Sequence, residues 1–258
     1  MGYADLFSLE GRKAVVTGGC GYLGSETVKG LADFGADVVV LTREIREIGG
    51  LSRPVKYIEC DLADTACLKA ALKEAAGEKE TIDILVTMAA DRGAGVLADV
   101  EDMEDECWAQ GVDGTVGITF RTIREAIPYM KNSACGSIIT VGSLYAVGAP
   151  DPRTYFDTPF SSTPSYGAGK AATLELTKFC ASYLAKYGIR ANCISPGTFP
   201  HPSVQENGMF ISRLADKTML GHIGYPEDLV GATVFLASDA SKFVTGINLM
   251  VDGGQTAW

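Results

Sequence analysis

The sequence predicts an α/β fold in which a doubly wound parallel sheet of about seven strands carries helices on both faces. Short apolar runs recur along the chain, they are rich in β-branched residues, and segments with helical spacing separate most of them. Strands that are buried on both faces and alternate with helices are typical of a parallel sheet covered on two sides.

Each predicted strand is an apolar run bounded by residues that favour turns or helices. In chain order, the predicted strands are Ala14–Thr17, Val38–Leu41, Val55–Ile58, Ile84–Val86, Ser137–Val141, Arg190–Ile194 and Ile247–Val251. No repeat or low-complexity linker interrupts this alternation, so we expect a single domain over residues 1–258.

Two proline-rich segments break the alternation, and each follows a predicted strand. They are Leu144–Pro164 and Ser195–Ile211. Open α/β sheets bind ligands beyond the carboxyl ends of their strands, and loops longer than about 12 residues in compact domains tend to be functional. We therefore expect both segments to lie beside a ligand site, with Leu144–Pro164 as a substrate wall or lid. A harmless insertion is the alternative.

Composition argues against several classes of partner. The formal net charge is −10, so the average surface repels nucleic acids and anionic membranes. The seven cysteines form no CxxC pair and the two histidines stand apart, which favours neither a disulfide framework nor a metal site. No stretch approaches the ~18 apolar residues that span a bilayer. We expect a cytoplasmic protein without nucleic-acid, membrane or metal partners.

A glycine-rich turn follows the first predicted strand and opens a helix. Its GxGxxG pattern consists of Gly19, Gly21 and Gly24. Such glycines let the backbone approach a pyrophosphate, and the helix N-terminus supplies N–H donors. The pattern predicts a Rossmann-type dinucleotide site, although glycines can also only make a turn. The predicted cofactor contacts here are Gly18, Gly19, Cys20, Gly21, Tyr22, Leu23 and Gly24.

The end of the second predicted strand bears on the choice of cofactor. Thr42 stands where NAD-selective sites usually hold an acidic residue for the ribose 2′-OH, and Arg43 follows it. A guanidinium matches a phosphate bidentately. The pair Thr42 and Arg43 therefore favours NADP(H) over NAD(H). The alternative is a solvated Arg43 paired with a nearby glutamate.

Three residues form a candidate proton-transfer site. Tyr166 and Lys170 are four positions apart and therefore share one face of the helix that follows the long loop. A free phenol is a poor base at neutral pH, and a nearby ammonium favours the phenolate. Ser143 ends the preceding strand and can hydrogen-bond a substrate oxygen on which charge develops. We predict Ser143, Tyr166 and Lys170 to be catalytic.

Taken in order, these motifs make the chain resemble the short-chain dehydrogenase/reductase family, in its compact single-domain branch. The resemblance runs nearly end to end. It rests on TGGCGYLG at 17–24, CDL at 60–62, GS at 142–143, YGAGK at 166–170, SPG at 195–197 and VDGG at 251–254.

The resemblance implies a fold, a set of contacts and an assembly. It implies a seven-stranded parallel sheet and a homo-oligomer, either a dimer or a tetramer. It also implies that Tyr166 and Lys170 contact the cofactor. The further cofactor contacts that it implies are Asp61 and Leu62 near the adenine, the backbone of Ala89 and Ala90, and Pro196, Gly197 and Phe199 near the nicotinamide.

The chain departs from the pattern of the compact branch at five places. The first is the glycine turn, whose spacing is commoner in the sugar-nucleotide-modifying branch of the family. Thr87–Ala90 replaces the usual NNAG, and Gln110–Thr115 lacks the asparagine of the family's proton relay, which partly acts through a backbone carbonyl. His201 stands where a hydroxyl residue is usual. The gap from Ser143 to Tyr166 is longer than usual and resembles a sugar-associated subgroup.

The predicted activity is the interconversion of an alcohol and a ketone on a small polar, sugar-like substrate. The predicted substrate contacts are Ser143, Tyr145, Asp151 and Arg153, although Asp151 and Arg153 can also pair with each other on the surface. Two alternatives stay open. One is a 3-oxoacyl thioester reductase, and the other is a nucleotide-binding sensor or structural protein that has lost turnover.

Overall fold

The computed structural model describes residues 2–91 and 99–258. Within these ranges, seven strands form one sheet in the order β3-β2-β1-β4-β5-β6-β7, and every neighbouring pair is parallel. The strands are β1 (Lys13–Thr17), β2 (Asp37–Thr42), β3 (Lys56–Glu59), β4 (Ile84–Thr87), β5 (Ser137–Val141), β6 (Arg190–Pro196) and β7 (Asn248–Val251).

Helices connect the strands and cover the sheet. They are α1 (Tyr22–Asp33), α2 (Thr65–Ala76), α3 (Asp105–Val112), α4 (Ile118–Met130), α5 (Pro164–Leu184), α6 (Pro202–Gln205), α7 (Gly208–Ala215) and α8 (Val230–Ala237). Asp113–Gly117 forms a π-helical turn between α3 and α4.

The two faces of the sheet carry separate hydrophobic cores, because successive strand residues point to opposite faces. Val15 belongs to a core shared with α2, α4 and α5, whereas its neighbours Ala14 and Val16 belong to a core shared with α1 and α8. All three side chains are fully buried. Strands that are buried on both faces explain why the sequence shows continuous apolar runs rather than alternation.

The chain reverses its direction of winding at β1. It runs outward from β1 through β2 to β3 and then returns to the other side of β1 as β4. Loops that leave β1 and β4 therefore part at the carboxyl ends of adjacent strands, and open α/β sheets bind ligands in the crevice formed there.

The structure confirms the predicted fold class and all seven predicted strands, with ends that differ by at most two residues. Leu144–Pro164 is irregular as predicted and holds two short 3₁₀ turns, at Leu144–Ala146 and Pro152–Tyr155. Ser195–Ile211 is more regular than expected. It begins inside β6, contains α6 and enters α7, because proline fits the first turn of a helix, as Pro202 does in α6.

Candidate active site

A cleft of about 900 Å³ opens at the carboxyl edge of the sheet. Segments that follow β1 to β6 line it, together with Leu144–Tyr145, Pro159–Thr163 and residues of α5, α6 and α7. With the exceptions of Gly19, Asp151 and Arg153, every residue predicted to bind cofactor or substrate lines this cleft.

The glycine-rich turn has the geometry of a phosphate cradle. Gly18 has φ +71°, and a Cβ there would lie 2.8 Å from the Ala89 backbone. A Cβ at Gly24 would lie 2.2 Å from the Gly18 carbonyl oxygen, so a side chain at either position would displace the backbone. Gly21 is the N-cap of α1 and has no side chain with which to cap it, so the first N–H groups of the helix are available to an anion. These features fit a dinucleotide pyrophosphate.

Gly19 packs inside the protein, beside the cleft lining. It does not line the cleft, and a Cβ there would lie 2.9 Å from Val28 and 3.0 Å from Val40. Its missing side chain therefore allows close packing of the turn against α1 and β2.

The end of β4 is held without the amide side chains of the family pattern. The Oγ1 of Thr17 accepts hydrogen bonds from the N–H groups of Met88, at 3.2 Å, and Ala89, at 3.4 Å. Because Thr17 is buried at the end of β1, its hydroxyl keeps the backbone of Ala89 and Ala90 in the cleft lining.

The side of the cleft that follows β2 and β3 carries most of its charged side chains. Arg43 forms an ion pair with Asp91, at 2.6 Å between Nη1 and Oδ2, rather than with Glu44 or Glu47. β2 and β4 lie on either side of β1, so this pair connects the two segments across the glycine-rich turn. Thr42 donates its hydroxyl to the Glu44 carbonyl at 2.9 Å. Asp61 and Leu62 lie beside these groups in the lining.

The three predicted catalytic residues face the same cleft. Ser143 and Lys170 are buried, and Tyr166 is half-buried. Lys170 donates from Nζ to the Val141 carbonyl at 2.6 Å, and its Nζ lies 5.7 Å from the centre of the Tyr166 ring. The Oγ of Ser143 accepts the Tyr145 N–H at 3.1 Å, which leaves its own proton available to a ligand.

The segment Gln110–Thr115, which lacks the family's asparagine, packs directly on α5, the helix that carries Tyr166 and Lys170. A Cβ at Gly169 would lie 1.7 Å from the Oγ1 of Thr115, so the glycine next to Lys170 permits this contact. Thr115 lies in the π-helical turn and donates its hydroxyl to backbone carbonyls of Val112 and Gly111. A π-helical turn leaves the regular i to i−4 hydrogen-bond pattern and is frequent at functional sites.

The predicted substrate residues separate into two groups. Tyr145 lines the cleft, and its hydroxyl hydrogen-bonds the hydroxyl of Tyr155. Burial, and then this hydrogen bond, raise the pKa of Tyr145 above its ordinary value. Asp151 and Arg153 do not line the cleft. They pair with each other at 2.8 Å, and Asp151 also binds Lys217 at 2.5 Å.

The segment after β6 closes one end of the cleft against the glycine-rich turn. The ring of His201 meets the Tyr22 ring edge-on at 5.3 Å, and its Nδ1 accepts the Ser203 N–H at 3.3 Å. Gly197 packs against Asp252, where a Cβ would lie 2.5 Å from the Asp252 Cα. Pro196, Gly197 and Phe199 are thus held in the lining by the turn that follows β7.

Sequence reasoning did not single out several lining residues. They are Asp91, Tyr155, Phe160, Thr163, Val204, Phe210 and Leu214. A signal was present for Phe210 and Leu214, because two apolar residues four positions apart share one face of a helix. Asp91 and Tyr155 carried no comparable signal.

Comparisons with known proteins agree with this geometry. A family model described as enoyl-(acyl carrier protein) reductase matches residues 22–256. A solved structure of a short-chain dehydrogenase from Leptospira borgpetersenii with bound NAD+ superimposes with a TM-score of 0.86 and 32% identity, over 99% of this chain and 96% of that chain. The chain belongs to the short-chain dehydrogenase/reductase family. It is therefore an NAD(P)-dependent oxidoreductase.

Other members of the family are similar over their whole length. The 2-dehydro-3-deoxy-D-gluconate 5-dehydrogenase of Pseudoalteromonas atlantica is 31% identical, over 97% of this chain and 98% of that protein. A gluconate 5-dehydrogenase from Burkholderia cenocepacia, solved in complex with NADP and tartrate, is 30% identical with a TM-score of 0.85, over 98% of each chain.

Proposed function

We propose that this chain, acting as a single domain, interconverts a secondary alcohol and a ketone on a small sugar-like substrate in the cytoplasm. The convergence of Ser143, Tyr166 and Lys170 in the cleft that holds the glycine-rich turn carries the proposal. The names of the two sugar-acid dehydrogenases that it resembles agree with a substrate of this kind.

Each catalytic side chain has a task that follows from its contacts. Tyr166 takes the hydroxyl proton in the oxidative direction and returns it in the reductive direction. Ser143 donates its free proton to the same oxygen and stabilises the charge that develops there. Lys170 is held by the Val141 carbonyl, which places its ammonium 5.7 Å from the centre of the Tyr166 ring, beside the phenol that transfers the proton. The bound nicotinamide supplies the hydride chemistry.

Proton transfer through this segment does not require the asparagine side chain that the family carries there. Its segment stays in contact with the catalytic helix through Thr115 and Gly169. In the family, the relay acts partly through a backbone carbonyl, and a backbone carbonyl is present whatever the residue. We propose that the main chain of the π-helical turn Asp113–Gly117 serves this purpose.

For the cofactor, we propose that NADP(H) is preferred over NAD(H). Arg43 lies in the lining beside Thr42, and Thr42 contributes no negative charge that would repel a 2′-phosphate. The ion pair of Arg43 with Asp91 is largely exposed to solvent, so a phosphate can compete for the guanidinium.

We also propose that the protein is a homo-oligomer, either a dimer or a tetramer. Phe120 on α4 and Phe179 and Tyr183 on α5 have exposed side chains, with 47%, 65% and 50% of their surface accessible. Exposed aromatic side chains are enriched at protein interfaces.

No helix in residues 2–91 or 99–258 is long and apolar enough to cross a bilayer.

The activity is tested by a screen of secondary alcohols with NADP+ and NAD+, followed by the Tyr166→Phe variant. We expect turnover of at least one polyol or cyclic alcohol, and a loss of about 10² to 10⁴-fold in kcat for Tyr166→Phe. The Kd for the cofactor should stay within about twofold, because the ring remains. Tyr3→Phe is the control, since Tyr3 is 91% exposed and lies outside the cleft lining.

An unchanged rate in Tyr166→Phe would remove Tyr166 from the chemistry. Cofactor binding without turnover of any alcohol or ketone would instead favour a nucleotide-binding sensor. Turnover of a 3-oxoacyl thioester at a higher kcat/KM than any polyol would replace the sugar-like substrate.

A further inference from the structure

An aromatic wall forms part of the cleft lining. It consists of Tyr155 and Phe160 from the segment between β5 and α5, and Phe210 from α7. The Phe210 ring lies 4.9 Å from the Phe160 ring and 5.8 Å from the Tyr155 ring, measured between centroids. Phe210 is 4% exposed. The wall therefore offers an apolar surface that is already packed.

The polar groups beside the aromatic wall are hydroxyls. The phenols of Tyr145 and Tyr155 hydrogen-bond each other at the edge of the wall. Thr163 lines the cleft three residues before Tyr166 and is 7% exposed, and its Oγ1 has no hydrogen-bond partner among the described residues. A buried hydroxyl without a partner costs free energy, and a ligand hydroxyl in the cleft would supply the missing bond.

Three basic side chains near the aromatic wall bind partners outside the cleft. Lys217 and Arg153 both bind Asp151, and Arg213 donates to the Phe156 carbonyl. None of these side chains lines the cleft. In the described part of the lining, the charged side chains are Arg43, Glu44, Arg46, Asp61 and Asp91 on the nucleotide side, and Lys170 at the proton-transfer site.

We infer that the substrate is an uncharged, ring-shaped polyol whose C–H face packs on the aromatic wall and whose second hydroxyl bonds Thr163. Aromatic faces are electron-rich and accept the C–H edge of a ring. A hydroxyl next to the reacting carbon meets hydroxyl partners, whereas a carboxylate at the aromatic wall would lose water without gaining a cation among the described residues of the wall. This inference rests on the proposed function and narrows it, since the dehydrogenases reported above are named for sugar acids.

The charge of the substrate is tested on the wild-type protein with a matched pair of ring alcohols. Both compounds are hydroxycyclohexanes, and they differ in carrying either a hydroxymethyl group or a carboxylate on the ring. We expect kcat/KM for the uncharged compound to exceed that for the carboxylate by at least about tenfold. An equal or higher kcat/KM for the carboxylate would overturn the inference. No turnover of either compound, or of any secondary alcohol, would instead overturn the proposed function.

The contact with Thr163 is tested by Thr163→Val with cyclohexanediol and cyclohexanol as substrates. The variant loses no hydrogen bond to the described residues, so it should fold like the wild type. We expect kcat/KM for the diol to fall about 2- to 10-fold, and no change for cyclohexanol, which lacks the second hydroxyl. Cofactor Kd should not change.

The matched control is Thr27→Val. Thr27 is also buried with an unpartnered hydroxyl, but it lies on α1 outside the cleft lining. An equal effect of Thr163→Val on both substrates, or no effect on either, would show that Thr163 does not bind the second hydroxyl.

Discussion

Substitutions in the ion pair between Arg43 and Asp91 test the proposed preference for NADP(H) over NAD(H). Arg43 is the candidate partner of a 2′-phosphate, and in the structure its Nη1 lies 2.6 Å from an Asp91 carboxylate oxygen. NADPH binding would exchange this partner for the phosphate, whereas NADH binding requires no exchange. We therefore expect substitutions at these two positions to change the Kd for NADPH and to leave the Kd for NADH within about twofold.

The magnitude follows from the exposure of the two side chains. A charge-assisted hydrogen bond contributes about 1.5 to 3 kcal/mol when well formed. The Arg43 and Asp91 side chains are 63% and 45% exposed, so solvent weakens both the new contact and the old one, and an exposed pair is worth about 0 to 1 kcal/mol. The net loss in Arg43→Ala is then about 1 to 2 kcal/mol, or about 5- to 30-fold in Kd for NADPH.

Asp91→Asn should act in the opposite direction. It removes the competing carboxylate and its negative charge, so NADPH binding should tighten by up to about fivefold, which corresponds to at most about 1 kcal/mol. Both variants can be titrated with NADPH and NADH by nicotinamide fluorescence at fixed ionic strength, because exposed charges are screened by salt. Equal weakening of NADPH and NADH in Arg43→Ala would refute the reasoning, as would an unchanged Kd for NADPH in Asp91→Asn.

Three further outcomes test the site. Gly24→Ala should raise the cofactor Kd at least about tenfold, because its Cβ would lie 2.2 Å from the Gly18 carbonyl oxygen, whereas Gly231→Ala, with open space around it, should leave the Kd unchanged. Gly169→Ala should lower the free energy of unfolding by about 1 to 3 kcal/mol in denaturant, because its Cβ would overlap Thr115. The double variant with Thr115→Ala should recover part of that stability. An unchanged free energy of unfolding in Gly169→Ala would contradict the close contact. Burial and the hydrogen bond to Tyr155 raise the pKa of Tyr145 above its ordinary value. Tyr145→Phe should therefore leave the midpoint of the pH–rate profile unchanged. A displaced midpoint would show that Tyr145 is the group that titrates in the profile.

The strands were predictable because burial on both faces leaves a simple record in the sequence. Val38–Leu41 and Ser137–Val141 are continuous apolar or β-branched runs, and the structure confirms both as central parallel strands. The glycine-rich turn was equally predictable, because only glycine fits where an added Cβ would lie 2.2 to 2.8 Å from a neighbouring backbone atom. Gly19 shows the limit of the pattern, since it serves packing and not the lining.

The rest of the site depends on contacts between segments that are distant in the chain. Arg43 and Asp91 are 48 positions apart, and no local spacing indicates that they form a pair. Asp151 and Arg153 were placed near the substrate because of their charge, but Lys217, 66 positions beyond Asp151, helps hold the pair outside the cleft. In the aromatic wall, Tyr155 from the segment before α5 likewise contacts Phe210 on α7. Long-range packing of this kind becomes visible only when the segments are assembled.

The hydroxyl of Thr17 has a consequence for how sequence can vary in this protein. Two backbone N–H groups at the end of β4 are bound by a side chain from β1, so the side chains at positions 88 and 89 take no part in that attachment. These hydrogen bonds therefore set no requirement for a particular side chain at position 88 or 89, whereas they require a hydroxyl at position 17. A substitution at position 88 or 89 can leave the end of β4 attached to β1, whereas loss of the hydroxyl at position 17 removes one acceptor from both N–H groups at once.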